Sequence, residues 1–274
     1  MSAGAIAGRT ARDGSPYPEH GRPGFERDVR AMFTHIAHGY DWFDHVASLG
    51  QDLLWRPRAL WDLDRFRDGR PVRRVLDVGC GPGSLTFLAA QHYSDAELVG
   101  ADFTRAMLAE ATGRALMRPA PRRPRFARAS VTSLPFRDAS FDVAMSAYVA
   151  RSLPRLGDAF RELRRVLAPG GTLLTLEITE PTHPMVRFGF HTYFDHVVPF
   201  LGRLVGSEGP YTYLPESLRH LPDRSGVLDL LRSAGFARAV AAPQSFGVVT
   251  SYLAESPGAA APPAQGLSAS GANR

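Results

Sequence analysis

Lysine is missing from this chain, and all 32 basic side chains are arginines. A P-loop needs Gly-Lys-Ser/Thr and a pyridoxal enzyme needs a lysine for its Schiff base, so both classes drop out. Cysteine occurs once, at Cys80, which excludes an internal disulfide framework and a cluster of cysteine metal ligands. No apolar run approaches the roughly eighteen residues of a membrane span. Met1 to Tyr17 is small and polar and lacks the apolar stretch of a signal peptide. From these absences a cytoplasmic location is expected.

Apolar residues make up 44% of the 274 positions, ample for one large domain with additions. The formal charge is +5. Its densest basic run is Arg118, Arg122, Arg123, Arg125 and Arg128, broken by prolines. The run reads as a solvated loop or as a contact with an anionic membrane surface. Nucleic acid is not an expected partner, because no recognised binding motif accompanies it.

Residues 1–24 and 256–274, rich in Gly, Pro and Ala, read as disordered arms around a domain at 25–255. The spacing of Val29, Met32, Phe33 and Ile36, then of Leu53, Leu54 and Leu60, predicts a helical region over 25–70. From Val72 onward, short apolar runs alternate with helical segments. Strands are predicted at Val75–Val78, Glu97–Ala101, Phe126–Ala129, Phe141–Met145 and Thr172–Glu177. Helices are predicted at Leu85–His92, Arg105–Leu116 and Leu156–Leu167, the last stopped by Pro169-Gly170-Gly171. Such alternation predicts an α/β fold, a doubly wound and mostly parallel sheet with helices on both faces. After a helix at Val227–Ala234, the runs Ala237–Ala242 and Val248–Leu253 read as a closing hairpin, compatible with one antiparallel strand. Residues 183–205 place Val186, Phe190, Tyr193, Val197 and Leu201 on one helical face, either a buried helix or a lid over an apolar substrate.

Asp77-Val78-Gly79-Cys80-Gly81-Pro82-Gly83 follows a strand and precedes a helix. Glycines open backbone angles closed to other residues and let a ligand approach the main chain; the following helix offers free N–H groups. Asp102 closes the next strand, 19 residues past Gly83, where an acid can take both hydroxyls of a ribose. Together the two features point to an adenosine cofactor. Pyrophosphate sits best on G-x-G-x-x-G, whereas here the glycines fall at every second position and an acid leads the loop. That carboxylate would repel pyrophosphate but could hold the ammonium of a methionine moiety. The chemistry leans toward S-adenosylmethionine and leaves an NAD(P)-dependent reductase as the alternative from another class.

The series Val75 to Gly83, Asp102, Leu134-Pro135-Phe136, Phe141-Asp142 and Arg165-Val166-Leu167-Ala168-Pro169-Gly170-Gly171 resembles the class I methyltransferases over Val75 to Leu176. This resemblance implies a seven-stranded Rossmann-like sheet, S-adenosyl-L-methionine as cofactor, S-adenosyl-L-homocysteine as product, and no metal. It carries over a cofactor-binding set of Asp77, Gly79, Gly81, Gly83, Asp102, Phe103, Ser130, Val131 and Ser146. Asp102 falls on the ribose, and Ser130-Val131 runs along the adenine. Many members have Asp or Asn where this chain has Ser130.

Further segments follow in order: Met32-Phe33 through Ile36-Ala37, Tyr40-Asp41, Ser48-Leu49-Gly50, Trp55-Arg56, and Arg165 to Thr179 with Glu177. Pro181-Thr182, Pro184, Arg187, Tyr193, Pro199, Tyr211, Tyr213-Leu214, Glu216-Ser217, Arg219, Pro222-Asp223 and Ala234-Gly235-Phe236 complete them. Over about Val29 to Val249 the chain thus resembles the ubiquinone/menaquinone biosynthesis C-methyltransferase family. The implied reaction is C-methylation of a prenylated quinol such as demethylmenaquinol, under a helical substrate cap at 181–222. Asp44 stands where the family has Asn, Asp52 replaces a histidine, and Gly-Leu-Arg-Asn becomes Val149-Ala150-Arg151-Ser152. A late His-Arg-Gly gives way to Thr250-Ser251-Tyr252. These departures keep open another small aromatic or natural-product acceptor.

Methylating an aromatic carbon needs a group that stabilises phenolate and a group that takes the proton. The family resemblance assigns Arg151 and Tyr40 to catalysis; Arg151 can hold phenolate or position water but cannot be the base. Tyr148, Ser152, Tyr193, Tyr211, Tyr213 and Arg219 are the candidate acceptor-binding residues, with aromatic packing as the alternative for the tyrosines. His45, His191 and His220 could accept a proton near neutrality. His35 and His38 lie three apart without a third ligand, so no metal is expected. Cys80 reads as an apolar filler inside the loop. The expected partner is a small lipophilic aromatic or quinol; a homo-oligomer and peripheral membrane contact are left open.

Overall fold

The computed structural model describes residues 24–37, 40–119, 123–200, 213 and 215–258. The expected disordered arms lie almost wholly outside the described residues. At the C-terminal boundary, however, Ser256 is buried and its N–H bonds Gly171 O at 2.8 Å, so ordered chain continues past the predicted limit.

Three helices fill the predicted N-terminal region: α1 (Phe25–Ile36), α2 (Tyr40–Ala47) and α3 (Asp52–Arg67). Then β1 (Arg74–Val78), α4 (Ser84–His92), β2 (Glu97–Asp102), α5 (Arg105–Leu116) and β3 (Arg125–Arg128) follow. The second half holds β4 (Phe141–Ala147), a 3-10 turn (Ala150–Ser152), α6 (Leu156–Val166) and β5 (Leu167–Ile178). α7 (Pro184–Thr192) and a π-helical turn (Tyr193–Val197), within the expected cap segment, precede α8 (Arg224–Ser233), β6 (Arg238–Gln244) and β7 (Val249–Glu255); neither lines the crevice at the carboxyl ends of β1, β2 and β4.

The strands form one seven-stranded sheet in the order β3-β2-β1-β4-β5-β7-β6. All pairings from β3 to β5 are parallel, and β7 runs antiparallel to both β5 and β6. This is the doubly wound arrangement expected, with the closing hairpin supplying the one reversed strand. β1 buries Val75, Leu76 and Val78 on both faces, the continuous apolar run of a central parallel strand. On one face Trp55, Leu60 and Leu63 of α3 pack with Leu85 of α4, Met145 and Leu174. On the other, Phe160 and Leu163 of α6 meet Val227 and Leu231 of α8 over Leu76, Leu173 and Tyr252.

α6 shows why the pattern was readable: Leu156, Ala159, Phe160, Leu163 and Val166 form one buried stripe. Its end differs from the prediction. Leu167 is already extended (φ −76°, ψ 135°), and Pro169-Gly170-Gly171 lies inside β5 as a bulge instead of a linking loop. Phe141 pairs with Leu167 and Val143 with Thr172. A Cβ on Gly171 would stand 2.8 Å from Ala168 O, so the bulge requires glycine there.

Several residues of the motifs turn out to be clamps. Arg165 bonds Leu134 O and Phe136 O at 3.1 and 2.8 Å and pairs with Glu162, fixing the Leu134-Pro135-Phe136 loop. Asp142 accepts the N–H groups of Arg73 and Arg74 at 2.8 and 2.9 Å, aligning the entry to β1. Arg67, nearly sequestered at the end of α3, bonds Asp142 O and Thr172 Oγ1. The sheet's outer strands are short or interrupted: β3 is bracketed by Arg125 and Arg128, and β6 contains Pro243. Among the described residues no helix is long and apolar enough to cross a membrane.

Candidate active site

A crevice opens at the carboxyl ends of β1, β2 and β4, where neighbouring strands lead their connections to opposite faces of the sheet, the usual ligand position in such sheets. The glycine loop forms its floor. Gly79, Gly81 and Gly83 have φ of 66°, 54° and 91°, all in the left-handed region. A Cβ on Gly79 would come within 2.4 Å of Val149, so that glycine serves packing as well as ligand approach. Above Gly81 there is room: the nearest atom to an added Cβ is Met107 Sδ, 4.0 Å away.

Two buried acids face this space. Asp102 accepts the N–H of Gly81 at 3.0 Å and of Thr104 at 2.7 Å. Burial raises its pKa, opposed by those two backbone bonds. Asp77 is 1% exposed and accepts from Thr86 Oγ1 at 2.5 Å. Burial, aided by the charge of Asp102, pushes Asp77 up to about 7 despite the Thr86 bond. Two carboxylates held in a low-dielectric crevice favour a cationic occupant. S-adenosylmethionine carries an ammonium and a sulfonium, so the donor set, the open space over Gly81 and the charges fit it.

The titration has a sign that can be measured. Asp77 is protonated below about pH 7 in the unliganded protein and ionised above it. Because its folded pKa is raised, its contribution favours folding most below the ordinary carboxylate range and is lost as pH rises to about 7. If the cofactor's ammonium is held by the ionised carboxylate, affinity for S-adenosylhomocysteine should fall about tenfold for each pH unit below 7. In calorimetry from pH 5.5 to 8, Asp77→Asn should bind more weakly and show a flat profile. An unchanged slope in that variant would reject the assignment.

The structure gathers most of the expected cofactor set. Asp77, Gly79, Gly81, Asp102, Phe103, Ser130 and Val131 line the crevice, and Gly83 caps α4 beside it. Ser146 does not join them: it is buried in β4 with its hydroxyl 3.2 Å from Thr175 Oγ1. Tyr148 and Ser152 line the crevice. Tyr213 stands behind Ser152, donating to its Oγ at 3.0 Å and meeting Phe33 edge-on at 6.5 Å.

Other expectations fall elsewhere. Tyr193 donates to Val46 O at 3.2 Å, joining the cap to α2, and Arg219 is exposed 3.7 Å from Asp195. Arg151 is buried with its guanidinium 3.6 Å from Glu177, and it is not among the residues that line the crevice. Tyr40 begins α2, but its side chain, like Tyr211, lies outside the described residues. Cys80 is buried, its thiol pushed well up by burial and by Asp77 and Asp102, consistent with a filler.

Sequence reasoning missed the wall opposite the glycine loop. Val29, Arg30 and Phe33 of α1, Asp44 of α2 and Arg56 of α3 line it. The two acid departures prove to be one cluster: Arg56 bonds Asp52 Oδ2 at 2.5 Å and Asp44 Oδ2 at 2.8 Å. His45 and Ser48 add bonds to Asp52 at 2.8 Å each. Burial would raise the Asp52 pKa, but these bonds and the charge of Arg56 outweigh it and hold the carboxyl below its ordinary value. The i,i+4 spacing of Asp52 and Arg56 was the available signal.

Sheet order and crevice together define the class, an S-adenosylmethionine-dependent methyltransferase of the doubly wound α/β type. The profile of the ubiE/COQ5 methyltransferase family matches residues 24–255, and the chain belongs to that family. It is 39% identical over 207 residues to the demethylmenaquinone methyltransferase of Thermus thermophilus, covering 75% of this chain and 91% of that one. It is 35% identical to the ubiquinone/menaquinone biosynthesis C-methyltransferase of Syntrophotalea carbinolica, covering 84% and 94%. A solved SAM-dependent methyltransferase from Aquifex aeolicus shares the fold with a TM-score of 0.50 at 16% identity, over 67% of this chain and 81% of its own.

Proposed function

We propose that this enzyme methylates a ring carbon of a prenylated quinol, with demethylmenaquinol as acceptor. The observation that carries the reading is the extent of the family match. It includes α1, α2 and α3, which line the crevice together with the cofactor loop. Relatives at 39% and 35% identity bear the name demethylmenaquinone methyltransferase.

In this reading Asp102 takes the ribose hydroxyls, Asp77 the ammonium, and Ser130-Val131 the adenine edge. Bound S-adenosylmethionine supplies a methyl group activated on sulfur. The chain's own contribution is to place the acceptor carbon in line with that methyl and to favour phenolate over phenol. Val29 and Phe33 give an apolar surface for the ring. Arg56 and Arg151 both stand near the Tyr148 ring, at 5.5 and 5.7 Å, each held by acids of its own: Asp44 and Asp52 for Arg56, Glu177 for Arg151. Arg151 acts from behind Tyr148 and not by contact.

Cap residues Met185, Phe188 and Phe200 are 78%, 75% and 56% exposed, an apolar surface suited to a lipid bilayer where such an acceptor resides. Purified protein should convert demethylmenaquinol to menaquinol both in detergent and from anionic vesicles, detected as a gain of one methyl by mass spectrometry. Normal S-adenosylhomocysteine binding with no product in either setting would make this acceptor wrong. Product in detergent alone would remove the membrane contact.

A further inference from the structure

The reaction releases a proton, and the crevice offers few places for it. Asp77 and Asp102 serve the cofactor, and Asp44 and Asp52 are tied to Arg56. His45 is turned to Asp52 and is not part of the crevice lining.

Behind the crevice wall lies one more acid. Glu177, in β5, is fully buried between β4 and β7. Its Oε1 accepts the Ala150 N–H at 2.7 Å, which ties the acid to the turn that carries Arg151. Its Oε2 lies 3.6 Å from Arg151 Nη1, too far for a hydrogen bond. Among the described residues, Glu177 Oε2, Arg151 Nε and Nη1, and Tyr148 Oη are all buried without a hydrogen-bond partner. Tyr148 itself lines the crevice, held at φ 63°, a left-handed conformation that side chains rarely adopt.

Dry, each such atom would cost about 1–3 kcal/mol. A cluster of them is the setting in which ordered water bridges polar groups. Arg151 joins the two ends: its guanidinium carbon lies 5.7 Å from the centre of the Tyr148 ring, and its Nη1 lies 3.6 Å from Glu177 Oε2.

We propose that Glu177 is the store for the proton that leaves the acceptor hydroxyl, reached through Tyr148 and water ordered by Arg151. The proposal rests on the phenolic-acceptor reading above. The O–H bond of the acceptor breaks and its proton passes to the Glu177 carboxylate. The ring carbon forms a bond to the methyl while the carbon–sulfur bond breaks, leaving the thioether neutral. The C–H bond on the methylated carbon then breaks, its proton passing to solvent water at the open mouth of the crevice and its electron pair restoring the ring, while the stored proton returns from Glu177 to the hydroxyl oxygen; the net release is one proton to solvent per methyl transferred.

Glu177 is suited to this in its basicity. Burial pushes its pKa up to about 7, with Arg151 and the Ala150 N–H opposing. Tyr213 and Tyr252 are the other titratable groups whose fields reach it. It is ionised above about pH 7 and able to receive a proton there.

Glu177→Gln keeps the shape and can still accept from Ala150. We expect its kcat to fall about 100-fold, while KM for demethylmenaquinol and binding of S-adenosylhomocysteine stay within about threefold. The acidic limb of the wild-type kcat profile, near pH 7, should vanish in this variant. Glu177→Asp should restore the limb and part of the rate. If Glu177→Gln instead gives the wild-type rate and profile, or Glu177→Asp is no better than Glu177→Gln, the proposal fails. An inactive wild type would overturn the acceptor reading and this proposal together, whereas an active wild type with an unaffected Glu177→Gln overturns this proposal alone.

Discussion

Asp102→Ala should weaken S-adenosylhomocysteine binding by about 100- to 20,000-fold, the loss of two charge-assisted hydrogen bonds at about 1.5–3 kcal/mol each. Two effects combine. The ribose hydroxyls lose their acceptor, and the N–H groups of Gly81 and Thr104, now bonded to this carboxylate at 3.0 and 2.7 Å, lose theirs. The loop that shapes the crevice therefore loosens as its ligand contact disappears. Asp102→Asn keeps one acceptor oxygen and should fall between the variant and wild type. Isothermal calorimetry measures both. A loss below threefold in Asp102→Ala would place the ribose elsewhere.

The second large effect is on stability. Arg56 is 8% exposed and joins Asp44 to Asp52, itself 1% exposed. Truncating the central cation leaves two buried or half-buried carboxylates facing one another, and Arg56→Ala should cost about 3–5 kcal/mol in urea unfolding. Lysine would not substitute, since one ammonium cannot span both partners in the planar fork geometry. Arg56→Met combined with Asp52→Asn should recover a large share, because the penalty comes from unpaired charge and not from a lost contact. A loss under about 1 kcal/mol in Arg56→Ala would mean that water already screens the cluster.

How far the sequence disclosed this site depended on whether the chemistry was local. The Asp77–Gly83 loop and Asp102 were readable because loop, helix start and strand end are contiguous and their spacing encodes geometry. α6 and β1 were readable because a helical stripe and an unbroken apolar run have different periods. Arg151 was singled out for catalysis, but its approach to Glu177 was not legible, since the two residues lie 26 positions apart and meet only when the 3-10 turn packs on β5. Asp44 and Asp52 stood out only as departures from a family pattern. Their meaning needed the packing of α2 on α3, which brings both to one guanidinium. The bulge in β5 was opaque for a related reason: Pro-Gly-Gly ends helices and strands alike, and only pairing with β4 shows that the ladder resumes.

The two outermost strands bear on how the molecule meets its own copies. β3 spans only four residues with an arginine at each end, and β6 offers a proline, Pro243, that has no N–H to donate. Neither border provides the long unbroken row of donors and acceptors on which a foreign strand could zip. Fibril-like stacking through backbone addition is thereby discouraged at both rims.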